Sequence, residues 1–560
     1  PNLFSVASSL VYQQRYALAF VRGHINSTSI HLGVPVSSSF LLQSFTQVVV
    51  EDVSKIDKAT ALALFAVLLY IMGTVAAPVA IISTIGLTYL SLLGFLYQIS
   101  EVQKIYYLTI YMAAPVVFAI GVDYMLLMAS RYAEERGAGR GKLEAVASVL
   151  KYARRAISAS AAAVAASLGS FVISTLPFMQ TIGVGYLITT AFIVATVFVV
   201  FPSLLYILGD RLFWPKKTVS LHSARSRLLE TAVSTALGRP LAVVITSAAV
   251  TIIAFIFLVT TLNVTANPVV AMPETEHKKA LEVATTYFPN VTALSTTYVV
   301  SRDEPAPGLL EAIKSLPHYV NHTVESVGEW HVVSIRLSVE DTSDELLEVY
   351  RELDALRSTY GPFLIGGAAS WKDVIFNEIY VKFWNVQIYI IILAIFIILS
   401  LLLKSFLIPL RLIATILMST VWSLAVEVLI FQEALGQPTY WLVPIVLFAF
   451  LMAVGTDYDI FIVTRIREEL EGGATEREAI KRAIVATGPV ITGAAVILAA
   501  AFSTLLLSQT LLLRQVGFTI ALAALVDAFV IRPFVVPAIM VLAGRYNWLW
   551  IAGYSIKQSA

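Results

Sequence analysis

The sequence predicts a polytopic α-helical membrane protein with two six-helix pseudo-repeats, the first helix of the first repeat missing from this chain, plus extracytoplasmic α+β domains. Three observations carry that expectation. Of the 560 residues, 58% are hydrophobic and 13% charged, with a mean hydropathy of +0.81, far more apolar than an ordinary soluble domain. Apolar windows of roughly 20 residues, enough to cross about 30 Å of hydrocarbon, recur along the chain. Two of those windows carry nearly the same polar motif 457 − 123 = 334 residues apart, Gly121-Val122-Asp123-Tyr124 and Gly455-Thr456-Asp457-Tyr458.

The elements follow in order. Residues 1–58 read as the tail of a first extracytoplasmic domain, because Ile30 to Ser37 (IHLGVPVS) resembles Phe363 to Ser370 (FLIGGAAS), each an apolar run ahead of a helix entering the membrane. Residues 59–208 hold membrane windows near 59–81, 83–99, 107–130, 156–177 and 182–208. Residues 209–240 form a cytoplasmic linker whose segment Leu221 to Leu237 sets Leu228, Leu229 and Val233 beside Arg225 and Arg227, an amphipathic helix. Residues 241–262 open the second repeat and 263–380 form its extracytoplasmic domain. Within that domain, helices are predicted near 274–287, 308–316 and 343–359, and strands at 294–301, near 322–339 and at 362–366, an α+β pattern. Residues 381–544 hold windows near 383–404, 407–431, 441–464, 484–507 and 516–543, and 545–560 form a cytoplasmic tail.

Charge sets the orientation. The connections after the two Asp windows carry Arg131, Arg136, Arg140, Lys142, Lys151, Arg154 and Arg155, and Arg465, Arg467, Arg477, Lys481 and Arg482, while the short connections on the other side offer only Lys104 and Arg514. The positive-inside rule puts the basic loops in the cytoplasm and the polar block at 263–380 outside, in a cell (plasma) membrane. Four N-x-S/T tripeptides, at Asn26, Asn263, Asn290 and Asn321, all fall on the outer side of this topology. A net charge of +1 without a basic arm argues against nucleic acid as a partner. Cysteine is absent, which excludes disulfides, and no Walker A pattern supports direct use of ATP. The nearest approach to a metal pattern, His318 and His322 with Glu325, reads as solvated surface; no metal and no cofactor is expected.

The 334-residue offset extends beyond the motif. Arg131 maps to Arg465, Glu134 and Glu135 to Glu468 and Glu469, Ile157 to Ile491, Gly183 to Gly517, and Arg211 to Arg545. The counterpart of the helix starting at 241 falls at 241 − 334 = −93, so a lead helix and most of a first outside domain, roughly 90 residues, are expected ahead of Pro1.

An ionised Asp at the centre of a membrane helix costs roughly 2.5–3.5 kcal/mol on insertion scales, so the same Asp placed twice points to an ion or proton site. If the halves pack about a pseudo-twofold axis, Asp123 meets Tyr458 and Asp457 meets Tyr124, with Gly121 and Gly455 letting the two helices approach. A Tyr hydroxyl donates to a carboxylate and accepts from a carboxylic acid, so it serves both protonation states, and no Lys, Arg or His lies within either Asp window. Asp459 is expected on the far side of its helix, as a secondary or cavity-facing polar group. Asp527 and Arg532 form an expected salt bridge near the cytoplasmic end of a helix whose first-repeat counterpart, near 190–200, is wholly apolar, and Glu427 is expected to be solvated at an outer helix end.

The paired motifs, GVDYMLLMASR at Gly121 to Arg131 and GTDYDIFIVTR at Gly455 to Arg465, resemble the MmpL-type branch of the resistance-nodulation-division (RND) transporters, and the resemblance spans all the membrane windows. It implies twelve helices in the complete protein, extracytoplasmic porter domains, and export of lipids or other hydrophobic molecules by antiport against protons, with Asp123, Tyr124, Asp457 and Tyr458 as the relay. The protein is then a secondary active transporter and not an enzyme, and a homo-oligomer is compatible with this plan. The outside domain is short beside those of the multidrug pumps, so an envelope-spanning tripartite assembly is not expected. The alternatives are an accessory of protein secretion built on a similar proton-driven core, whose membrane motifs differ, and a sterol-sensing or receptor-like membrane protein, which would bind ligand without a gradient.

Overall fold

The computed structural model describes residues 38–101, 107–174, 177–215, 227–267, 295–340 and 343–548, with isolated positions between some of these ranges. Of the tail expected over residues 1–58, residues 1–37 lie outside the described residues and 38–58 belong to a helix that runs on to Met72; most of the helix near 274–287, Asn26, Asn290 and the chain beyond 548 also lie outside the described residues. The chain divides into two compact units.

The larger unit, Lys55–Thr265, Asn377–Ser508 and Leu512–Ala560, is helical. Its first-repeat helices are α1 (Ser38–Met72, whose first residues lie in the other unit), α2 (Ala76–Ser100), α3 (Tyr107–Gly137), α4 (Lys142–Leu168) and α5 (Pro177–Ala195), which runs through a π segment, Thr196–Val200, into Phe201–Leu208. Then come α6 (Arg227–Gly238) and α7 (Pro240–Thr261). Among the described residues nine helices are long and apolar enough to cross a membrane, and a shorter apolar helix covers Ile157–Ile173.

The first boundary differs from expectation. The sequence places a break near residue 82, inside an unbroken apolar run; the chain turns instead at Gly73, whose φ of 59° is left-handed and open to glycine at little cost. Hydropathy alone carries no mark of a turn made inside an apolar stretch. The segment α6 does have an amphipathic pattern, but it is packed on its neighbours: Val233 and Leu237 are buried, Leu229 fills the space over Gly488, and Lys481 pairs with Glu230 at 3.3 Å. Leu228, expected on the same apolar face, is exposed.

The smaller unit includes Ala266–Phe376. Its strands β1 (Ser295–Ser301), β2 (Tyr319–Val327), β3 (Trp330–Leu337) and β4 (Leu364–Gly367) form an antiparallel sheet in the order β2-β3-β1-β4. Alternation decides the faces. Val333, Ile335 and Leu337 of β3 point inward with Val299 of β1, onto Leu309 and Ile313 of α8 (Pro307–Lys314) and Leu346, Val349 and Leu353 of α9 (Leu346–Tyr360). Gly328, at φ +65°, makes the tight turn between β2 and β3. His318 lies 3.3 Å from Glu345, and His322 is hydrogen-bonded to the Tyr319 hydroxyl at 2.6 Å. Beneath the sheet, the buried Lys372 donates to Asp344 at 2.8 Å.

The second-repeat helices of the larger unit are α10 (Ile388–Leu403), α11 (Leu407–Glu427), α12 (Leu442–Glu471), α13 (Glu476–Ser503) and α14 (Leu511–Val526), the last running through a longer π segment, Asp527–Val535, into Val536–Ala543. The two motif helices are α3 and α12. Each packs along the helix that follows its counterpart, α3 against α13 and α12 against α4, an exchange between halves that a pseudo-twofold axis generates.

Candidate functional site

Both motif helices are buried along most of their length, and buried polar groups on them need partners from elsewhere in the bundle. The Tyr458 hydroxyl donates to the Asp123 carboxylate, across the two repeats. Tyr124 stays within its own repeat for one bond, its hydroxyl joined to that of Ser160 on α4. Asp457 lies on α12, but its side chain, and with it the expected contact to Tyr124, is outside the described residues.

A cation joins this centre that neither motif window contains. Arg532, in the π segment after α14, is 3% exposed and lays its guanidinium 4.4 Å from the centre of the Tyr458 ring. Its Nη2 donates to Asp527 Oδ2 at 2.5 Å and to the Gly455 carbonyl at 3.4 Å, and its positive charge is felt at Asp123. The pair expected near the cytoplasmic end therefore sits beside Tyr458 and Asp123. Sequence distance concealed this, since residue 532 reaches residue 123 only through tertiary packing. A π segment also widens the helix locally, which re-aims its side chains relative to an ideal α-helix and is frequent at functional sites.

Asp459, one residue beyond Tyr458 on α12, accepts from Arg411 Nη2 on α11 at 3.3 Å, with both side chains buried. Sequence reasoning did not select Arg411. A signal was present: it is the one basic residue in an apolar window, and in the register set by Pro78/Pro409, Thr84/Thr415 and Ile85/Ile416 its first-repeat counterpart is Ala80. Ser160 was missed as well; its counterpart at the 334 offset is Ala494.

Three expectations need correction. Gly121 and Gly455 do not serve contact between the two motif helices; a Cβ on Gly121 would stand 3.0 Å from Ile85 of α2, and one on Gly455 3.1 Å from Ile416 of α11. Each glycine instead seats its helix on the preceding helix of its own repeat, because a position two residues before the Asp lies on a different face. Glu427 is fully buried and accepts from Thr439 Oγ1 at 3.0 Å; the helix does not open to solvent there but runs on through a π segment, Val428–Ala434. The expectation that tyrosine is the available donor omitted Arg532.

Two cavities meet at Tyr458. One, of about 120 Å³, runs from Asp123, Tyr124 and Tyr458 past Ser130 and Thr487 to Arg131 and Glu134. The other, about 20 Å³, lies on the opposite side, lined by Leu451, Leu498, Ser419 and Asp527. The larger has room for several waters, the smaller for about one. Chemically, the arrangement offers a carboxylate that can gain or lose a proton, a phenol that can follow it, a fixed guanidinium that stabilises the ionised form, and a cleft leading towards the charged end of α3.

The MMPL family model matches residues 21–228 and 363–556. The chain is 29% identical over 454 residues to the "Putative membrane protein ActII-3" of Streptomyces coelicolor, covering 77% of this chain and 61% of that protein. It is 38% identical over 154 residues to the "Sulfolipid-1 exporter MmpL8" of Mycobacterium tuberculosis, which is 28% of this chain and 14% of that protein. The chain thus spans less than two thirds of these relatives' length. Among solved structures, the hedgehog release protein Disp of the water bear Hypsibius dujardini superposes with a TM-score of 0.66 at 11% identity, over 89% of this chain and 71% of that one, a likeness of fold.

Proposed function

The chain belongs to the MMPL family, and on that premise we propose that it serves a multi-pass membrane exporter of lipids or other hydrophobic molecules driven by the proton gradient. The observation that carries this reading is the hydrogen bond from Tyr458 of one repeat to Asp123 of the other, with Arg532 on the Tyr458 ring and its charge acting on Asp123.

The cycle needs two states of Asp123. Ionised, its carboxylate accepts from the Tyr458 hydroxyl and is held by the charge of Arg532. When a proton arrives on a carboxylate oxygen, the acid O–H donates to the Tyr458 oxygen instead, the attraction to Arg532 lapses, and Arg532 is left to Asp527. Because Asp123 and Tyr458 lie on helices from different repeats, this exchange changes the force between the repeats, and movement of one bundle against the other is how such transporters alternate access. Asp457 and Tyr124 would form the second pair. Lipid or hydrophobic cargo is supported by the MmpL8 relative, whose name states a sulfolipid, and the basic ends of α3 and α12 support a cytoplasmic placement for the mouth of the larger cavity.

The test is proton flux into pyranine-loaded phospholipid proteoliposomes under an imposed pH gradient. Asp123→Asn keeps the volume and a hydrogen bond but cannot cycle a proton. Flux from this variant equal to that of the unsubstituted protein removes the relay.

A further inference from the structure

Beside the relay, the second repeat sets four charges, three of them buried, with an unusual deficit. Arg411 and Asp459 are each 4% exposed and Arg532 3%; Asp527 is paired with Arg532, and the charges of Asp459 and Arg411 both reach Asp527. Each guanidinium meets one carboxylate through a single nitrogen. In both arginines Nε and Nη1 are buried without a hydrogen-bond partner among the described residues. Four charged donors left without acceptors are more than a fold keeps dry, since buried polar groups are almost always satisfied by protein or by resident water. Water is the small molecule that accepts from guanidinium and donates to carboxylate in the same place.

The cluster also has direction. Asp527 lines the small cavity, Arg532 lies on Tyr458, and Asp459 and Arg411 are displaced along α12 towards Arg465. The elements packed on α11 are α7, α10, α12, the π segment Asp527–Val535 and the turn Gly544–Trp548. Among them α7 carries no titratable group, α10 only Tyr389, and the turn only the exposed Arg545 and Tyr546. Among the described side chains, the charges that meet Arg411 are therefore Asp459 and Asp527, the latter paired with Arg532.

Resting on the relay reading above, we propose that Arg411 and Asp459, joined by resident water to Arg532 and Asp527, form a hydrated branch of the proton path present in the second repeat only, with Arg411 as its positioning residue. Arg411 anchors Asp459 and the water, and Asp459 fixes how Arg532 divides its charge between Asp527 and Asp123. No bond other than O–H is made or broken. The proton leaving Asp123 passes to water and the water relays one onward.

The decisive variant is the double Arg411→Met/Asp459→Leu, because replacing a buried ion pair by apolar side chains usually preserves folding. In the pyranine assay it should keep the thermal midpoint of the unsubstituted protein while flux falls at least about tenfold, a loss in keeping with a missing proton-transfer group, and its pH profile should shift. Arg411→Lys, which keeps the charge and loses the planar fork, should fold, transport partially and shift the profile in the same direction. Unchanged flux and pH profile in the double variant overturn the proposal, and if that variant fails to fold, an unchanged profile in Arg411→Lys does so. Normal flux in both, with flux abolished in Asp123→Asn, sinks the branch alone; normal flux in Asp123→Asn sinks the relay and the branch with it.

Discussion

The two repeats share a frame and differ in charge. At the basic end of the motif helices, Arg131 pairs with Glu134 at 2.9 Å and Glu135 at 3.0 Å, and Arg465 with Glu468 at 2.8 Å and Glu469 at 3.0 Å. The following turn is made by Gly139 at φ +85° and Gly473 at φ +88°, and the next helix starts with a bond between the same two positions, Gly141 N to Glu144 Oε2 at 3.3 Å and Glu478 N to Thr475 Oγ1 at 3.4 Å. Gly183 and Gly517 both press on the turn ending the preceding helix. After that, the register moves from 517 − 183 = 334 to 544 − 209 = 335 between Gly209 and Gly544, both at positive φ. A π-bulge adds one residue, and the second repeat has the longer π segment.

Inside this common frame the polar content diverges. Where the second repeat has Arg411, Asp459, Asp527 and Arg532, the first has Ala80, Met125, Ile193 and Phe198. Where the first has Ser160 on Tyr124, the second has Ala494, and Tyr458 turns to Asp123. The frame makes the two helix bundles superposable, and the charges make their tyrosines inequivalent. If the proposed relay operates, a symmetric scaffold with an asymmetric centre gives the proton a preferred route where a fully symmetric one would offer two equal ones.

The comparison can be broken most directly at the centre. Asp123→Asn is expected to lower proton flux by about 10²–10⁴-fold, the range for a removed proton-transfer group, with unchanged thermal unfolding; Tyr458→Phe should cost less, since water can stand in for a hydroxyl. Next in size, Arg532→Met strands Asp527 and should destabilise the protein by about 3–5 kcal/mol, while the double variant with Asp527→Leu recovers most of that; thermal melts in detergent measure both, and a harmless single variant would mean the charges are not coupled. Phe198→Met, at the first-repeat position, should do far less.

The frame itself is tested by paired substitutions. Gly183→Ala and Gly517→Ala each place a Cβ about 2.5 Å from a neighbouring atom, with backbone close behind in both repeats, so each should cost about 1–3 kcal/mol. Clearly unequal losses would show that the repeats are packed differently after all. Smallest, Arg131→Ala and Arg465→Ala remove half-exposed ion pairs and should each change stability by about 0–1 kcal/mol, equally in both halves; a large loss from either would mark a role at the cavity mouth, which Arg131 lines.

The sequence by itself determined the membrane class, the helical windows, the repeat and the two motif positions. These are legible because hydrocarbon imposes length and polarity on any spanning helix, and because duplication writes the same residues twice at a fixed spacing. It also determined the faces of the four-stranded sheet, through alternation from Val333 to Leu337 in β3. Only tertiary structure decided that the chain turns at Gly73, that Gly121 and Gly455 seat their helices on Ile85 and Ile416, and that Glu427 is buried. It alone brought Arg532 onto Tyr458 and Arg411 onto Asp459, through contacts 74 and 48 residues apart in the chain (532 − 458 and 459 − 411). Hydropathy averages over a window and records that a charge is rare, while the partner that makes a buried charge tolerable comes from another helix, at a distance no local pattern encodes.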